Sequence, residues 1–272
     1  MKKLIAAFLL TGFVASHSGN DFWLLPDKFQ YEPGEAINIC LKTGDNFDGT
    51  NWEGDTSGIN RLDFYFTDIQ DDLRAAMGPK PGDSIQLSVF DESTAMVTFC
   101  SINSFTRHDA VFFNNRLQDE GLNDAYEYRR KHNETDSTGN EFSQWNVKTI
   151  FQVGAELTST FKQQTDLPID IVLQQNPYGF EDSVKMEVKV FFQNEALKNG
   201  LVKIWNRQND KTIIQDMQTN ADGEISFMLH PTGRWMLTCV KTIKNNREGD
   251  SLSTAMEWQS YRGSCTWGYD GK

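Results

Sequence analysis

The chain has 272 residues, 26 of them basic and 38 acidic, for a formal net charge of −12 at pH 7. A surface this negative disfavours nucleic acid and anionic membranes as partners, and an aromatic content of 12% is too high for a disordered chain. The length suits one large domain or two modest ones.

The N-terminus opens on Met1, Lys2 and Lys3 and continues as an apolar run from Leu4 to Ala15, broken only by Thr11 and Gly12. A positive start, an apolar stretch and small residues after it make a secretory signal peptide. A membrane-spanning helix needs about twenty apolar residues, so this run is too short to anchor. Val14, Ala15 and Ser16 suit the last positions before a cleavage site, which puts the signal peptide at 1–16 and makes His17 the first mature residue; cleavage after Ala15 is the near alternative. The mature protein is therefore expected in the periplasm or outside the cell. No membrane insertion is expected after cleavage, because no later apolar run is long enough to cross a bilayer.

Strand signals dominate the rest. In Ala36–Lys42, Ile37, Ile39 and Leu41 share one phase and Cys40 the other. The stretch 44–58 carries Asp45, Asp48, Glu53 and Asp55 with Phe47 and Trp52; it does not match the calcium-loop spacing and reads as an acidic hairpin loop, the alternative being that its aromatic residues line a binding groove. In Ala95–Cys100, Val97 and Phe99 are in phase and Cys100 is out of it. The stretch 109–131 breaks the pattern, being rich in helix formers, with Asp109 to cap a first helix, Gly121 to end it and Asn123 or Asp124 to start a second. Residues 132–140 are polar and read as a loop, and strand alternation returns over 145–153. After a boundary near Thr165–Pro168 come strict alternation over 184–190, a turn at Asn220–Gly223, alternation again over 224–229 and a last pair of strand-like segments holding Cys239 and Cys265.

Short strands spaced by turns imply a mostly β fold of two Ig-like β-sandwich domains, 17–165 and 166–272, with a small helical insertion at about 109–131 in or after the first. An even cysteine count in an exported chain points to disulfides. Four cysteines allow three pairings. The shared outward phase of Cys40 and Cys100 favours a bridge between them, leaving Cys239 to pair with Cys265.

No nucleophile elbow, phosphate loop, paired-histidine zinc motif or C-x-x-C is present. His108, His132 and His230 show no ligand spacing. The chain is accordingly read as a non-enzyme.

Several segments together resemble one family, the exported bacterial proteins grouped as domain of unknown function 4198, formerly described as a nickel-uptake component. They are Asp21-Phe22-Trp23-Leu24, Pro33-Gly34-Glu35, Glu120-Gly121-Leu122 with Arg129, Gln152-Val153-Gly154, Asn176-Pro177-Tyr178, Asp222-Gly223, Gly233-Arg234-Trp235, and Trp258 with Ser260 and Tyr261. The resemblance covers nearly all of the mature chain. Relatives place a histidine directly before Asp-Phe-Trp, whereas here Ser18-Gly19-Asn20 intervene between His17 and Asp21. The segments 197–202 and 220–229 also look like a carboxypeptidase-regulatory or transthyretin-like sandwich. The resemblance implies an extracytoplasmic binding or accessory protein that holds nickel or cobalt at His17 and Asp21 and passes it to a membrane metal transporter. The alternative is a structural or adhesive cell-envelope module that binds carbohydrate or protein without metal, with Trp52, Trp258 and Trp267 as the contact residues.

Overall fold

The computed structural model describes residues 21–78, 84–245 and 257–270. The expected signal peptide and His17 lie outside them. The strands of the N-terminal half are β1 (Asp21–Pro26), β2 (Gln30–Tyr31), β3 (Ala36–Asp45), β4 (Asp48–Asn51), β5 (Ile59–Phe66), β6 (Ile69–Asp72), β7 (Ile85–Ser88), β8 (Ser93–Ser101) and β9 (Ser104–His108). Helices α1 (Ala110–Asp119) and α2 (Asn123–Lys131) follow, and then the long β10 (Gly139–Val153). The C-terminal half holds β11 (Ile169–Leu173), β12 (Val184–Phe192), β13 (Glu195–Ala196), β14 (Leu201–Gln208), β15 (Lys211–Gln218), β16 (Glu224–Leu229), β17 (Arg234–Lys244) and β18 (Trp258–Gly268).

The fold is mostly β, built as two sandwiches with a helical insertion, and one sheet belongs to both. That sheet runs β15-β14-β17-β18-β10-β8-β5-β6, with β2 and β9 also paired to β10. Its centre is the parallel pairing of β10 with β18, in register from Glu141↔Trp258 to Thr149↔Thr266. A sheet of β1, β3, β4 and β7 covers one face at the β5–β8–β10 end. Between the two sheets pack Phe22, Leu24, Ile37, Ile39, Leu41, Val97, Phe99 and Phe151. At the other end the sheet of β11, β12, β13 and β16 covers the opposite face, over a core that includes Ile171, Val188, Ile204, Phe227, Trp235 and Trp267.

Alternation along β1 explains how the halves join. Phe22 and Leu24 enter the N-terminal core. Trp23 points the other way and packs with Phe47, Trp205 and Met236 against the outer face of β14 and β17. β1 is therefore buried on both sides. The β3–β4 turn follows it, taking Phe47 to 4% exposure, while Trp52 stacks edge-on against Phe22 and Phe99. The loop is the expected hairpin of β3 and β4, and the alternative of an aromatic groove is not met, because its rings complete the core. Trp258 and Trp267 are likewise buried, so neither is a surface contact residue.

The two expected disulfides do not form: Cys40, Cys100, Cys239 and Cys265 are free. Cys40 and Cys100 do share the outward phase of their strands, but the strands belong to opposing sheets. Their thiols therefore leave the sandwich in opposite directions, with the core between them. Cys239 lies opposite Gly263 and Cys265 opposite Leu237, so the two are diagonal neighbours. Diagonal positions sit about 7–8 Å apart, beyond the separation of about 4.4–6.8 Å that a disulfide spans.

The helical insert follows its signals. Asp109 caps α1 by accepting from the Phe112 N–H at 2.9 Å, and Gly121 leaves the helix at φ +68. Phe113, Leu117, Leu122 and Ala125 pack on Trp258 at the start of β18.

Candidate functional site

Three elements meet at the head of β1. Asp21 shares the phase of Trp23, so it faces the outer side of β14 and β17 rather than the N-terminal core. The C-terminal end of α1 supplies Arg116, Asp119 and Glu120, and β14 and β17 supply Leu201, Lys203, Trp205, Thr238, Cys239 and Val240. Together with Asp21 these enclose a pocket of about 40 Å³. A single water needs about 10–15 Å³, so the space takes an ion or a few waters and not a sugar ring.

The charges around it are unevenly paired. Arg262 reaches Glu120 Oε1 at 2.7 Å and Oε2 at 3.3 Å, and Arg116 reaches Oε2 at 3.4 Å. Arg116 also donates to Glu141 Oε1 at 2.6 Å. Glu141 takes His108 Nε2 at 3.0 Å and the Ser260 hydroxyl as further partners. Burial works to raise the Glu141 carboxyl, but His108, Arg116 and Ser260 outweigh it and hold the group below its ordinary range. Burial pushes Glu120 up to about 7, with Arg116 opposing.

Asp21 has no such partners. Among the described residues its carboxylate makes no hydrogen bond or ion pair, and burial pushes it up to about 7 despite the charge of Lys203 nearby. Asp21 is half-buried; a carboxylate partly removed from water without a partner is costly, and perturbed groups of this kind concentrate at functional sites. Among the described residues no group of three or more His, Cys, Asp or Glu is arranged to hold a metal ion. Among the described residues, the pocket is thus lined by two carboxylates that make no hydrogen bond or ion pair, Asp21 and Asp119.

The remaining histidines act locally. His108 is engaged with Glu141, His132 Nδ1 lies 2.8 Å from the Tyr128 carbonyl, and His230 Nδ1 lies 2.6 Å from Ser183 Oγ. Sequence reasoning missed Lys203 and Arg116. Lys203 alternates with Val202 and Ile204 and so reads as a solvent-facing strand residue; nothing in the local pattern says that β1 covers that face. Glu120 stood out only within a motif, with no role attached.

The motif residues shared with the family mostly staple the structure together. Gln152 Oε1 accepts from Thr94 at 2.8 Å, and its amide nitrogen donates to the carbonyls of Val153, Gly154 and Glu156. Asn176 donates to Thr94 Oγ1 at 2.7 Å, and Tyr178 donates to the Ile150 carbonyl at 2.7 Å. These contacts lock the start of the C-terminal half onto β8 and β10.

The fold is therefore that of a two-sandwich β protein whose pocket lies where its first strand meets its helical insert. The chain belongs to the family described as "Domain of unknown function (DUF4198)", whose model matches residues 17–242. A comparison with curated proteins gave no match. Among solved structures, the chain is similar to the "D0-D1 domain of Intimin" at 10% identity, covering 91% of this chain and 97% of that one, with a TM-score of 0.20. It is also similar to the "D00-D0 domain of Intimin" at 12% identity, covering 80% and 91%, with a TM-score of 0.20. A third similarity is to "Escherichia coli alpha-2-macroglobulin activated by porcine elastase", at 8% identity, covering 93% and 20%, with a TM-score of 0.20. Likeness this remote carries no argument about function.

Proposed function

We propose that the protein is an exported, non-enzymatic binding module that takes a divalent transition metal, nickel or cobalt, at the head of β1 and delivers it to a membrane transporter. The ligands are Asp21 and, after signal cleavage, the α-amine and imidazole of His17. One observation carries this reading: a half-buried carboxylate with no hydrogen bond or ion pair among the described residues lines an ion-sized pocket, four residues after the histidine that the expected cleavage would expose. A divalent cation would offset the cost of that charge. Lys203 works against it by sharing the same field, so the expected affinity is moderate, as suits a cargo that must be released.

The test is calorimetry of the processed protein with nickel and cobalt, beside His17→Ala and Asp21→Asn. Each substitution is expected to weaken binding at least tenfold. No binding tighter than about 100 μM, near −5.5 kcal/mol, or equal binding by all three proteins, would overturn the metal reading and favour a module that works by surface contacts alone. N-terminal sequencing of the exported protein supplies the second check, since a mature chain beginning after His17 removes the chelate.

A further inference from the structure

A second site lies at the junction of the two sandwiches, away from the pocket. Lys148 projects from β10 and Asp170 from β11, and the lysine Nζ is in contact with Asp170 Oδ1. Their side chains are 0% and 1% exposed. Apolar residues surround the pair in register and in sequence: Lys148 is opposite Cys265 on β18, and Ile150, Ile171 and Cys265 belong to one core. Among the described residues neither group makes a second ion pair. The other carboxylate oxygen, Oδ2, accepts from the Thr165 N–H at 2.6 Å and from Thr165 Oγ1 at 3.1 Å. The Leu167 N–H points at that same Oγ1 at 3.4 Å, which leaves the hydroxyl hydrogen free for Asp170.

We infer that Lys148 and Asp170 are a modification site, at which the chain condenses with itself to form an intramolecular amide between Nζ and Cγ. Each carboxylate oxygen has a separate role. Oδ1, already in contact with the ammonium, takes one of its protons and so frees the nitrogen lone pair. The nitrogen lone pair then attacks Cγ. The charge that develops on Oδ2 is met by two donors already in place, the Thr165 N–H and hydroxyl, which is the arrangement that stabilises an oxyanion. The bond from Cγ to Oδ1 breaks, and Oδ1 leaves as water with two protons from nitrogen. The product keeps Oδ2 as the amide oxygen, still bonded to Thr165. No oxidant or reductant is needed, since one ammonium and one carboxylate become one amide and one water. Holding amine and acid in contact supplies the effective concentration that free molecules lack, on the order of 10⁵–10⁸ M for well-oriented groups. The product would tie β10 to β11 covalently, across the point where the two halves of the chain join, in a protein whose four cysteines are free.

Peptide mapping of the folded, purified wild-type protein tests this directly. Trypsin should leave the bond after Lys148 uncut and release one branched peptide that joins 132–162 to 163–185, lighter than its parts by one further water beyond the uncut bond. Lys148→Arg keeps a cation at the site but should restore three unbranched peptides, 132–148, 149–162 and 163–185. If that variant fails to fold, the wild-type map decides alone. Separate wild-type peptides ending at Lys148 and containing an unmodified Asp170, after prolonged incubation of the folded protein, would overturn the assignment and leave an ordinary buried ion pair.

Discussion

At the scale of single residues, Asp21 and Lys203 decide what kind of ligand the pocket holds. Burial raises Asp21 from 3.8 to about 7. Between those two values the folded protein keeps a proton that the unfolded chain has released, so stability falls as pH rises through that window and the loss is complete above about 7. In the presence of a chelator, Asp21→Asn should therefore be more stable than wild type at pH 8, by about 2–4 kcal/mol at one pKa unit per 1.36 kcal/mol, and no more stable at pH 3.5. Urea titrations at the two pH values check this, and an equal effect at both would contradict it. Lys203→Met separates cation from anion. Removing a positive charge beside Asp21 should tighten nickel binding severalfold in calorimetry; weaker binding would mean that the pocket prefers an anion. The position of Asp21 after the expected signal peptide drew attention to it in the sequence. The nearby Lys203 drew no such attention, because strand alternation assigns a face without saying what covers that face.

At the scale of elements, the helical insert is held by polar contacts as much as by its apolar stripe. Arg129 is wholly buried, donating from Nη2 to the carbonyls of Glu134 at 2.6 Å and Ser137 at 2.5 Å and from Nε to Asn114 Oδ1 at 2.9 Å. Its guanidinium also lies 5.0 Å from the Phe113 ring centroid. Arg129→Met would remove the donor to the Ser137 carbonyl and to Asn114 Oδ1, while the Glu134 carbonyl keeps the Ser137 N–H, at a cost of about 3 kcal/mol. Chemical denaturation should show that loss, and limited proteolysis should open the 132–138 turn before the sandwiches. A change below about 0.5 kcal/mol, the level of an ordinary surface substitution, would mean that the insert does not depend on this arginine. The helices themselves were readable: Asp109 and Gly121 fall where capping chemistry puts them, and the expected span of 109–131 holds both helices. The cysteines were misread for a related reason. Alternation correctly turned Cys40 and Cys100 away from their apolar faces, but it carried no information about which sheet each strand would join.

At the scale of the whole molecule, the two sandwiches depend on one strand that arrives last in the chain. β18 pairs with β17 along its whole length and with β10 in parallel over nine positions. Its side chains also reach the first strand, since Ser264 donates to the Phe22 carbonyl and Thr266 to the Leu24 carbonyl, both at 2.7 Å. No local pattern in 258–268 announces these partners, which is why the sequence suggested separable halves on either side of Thr165–Pro168. Without β18, the stretch 141–149 of β10 would present unpaired backbone groups along an edge that is buried in the intact protein. Such an edge templates aggregation. A fragment of residues 17–165 is therefore expected to be insoluble or unfolded by circular dichroism, and the intact protein should unfold in a single calorimetric transition whose calorimetric and van't Hoff enthalpies agree. A soluble, cooperatively folded 17–165 fragment, or two resolved transitions in the intact chain, would show that β10 is stable without its parallel partner. The shared sheet would then be a docking surface between independent domains rather than the element on which both are built.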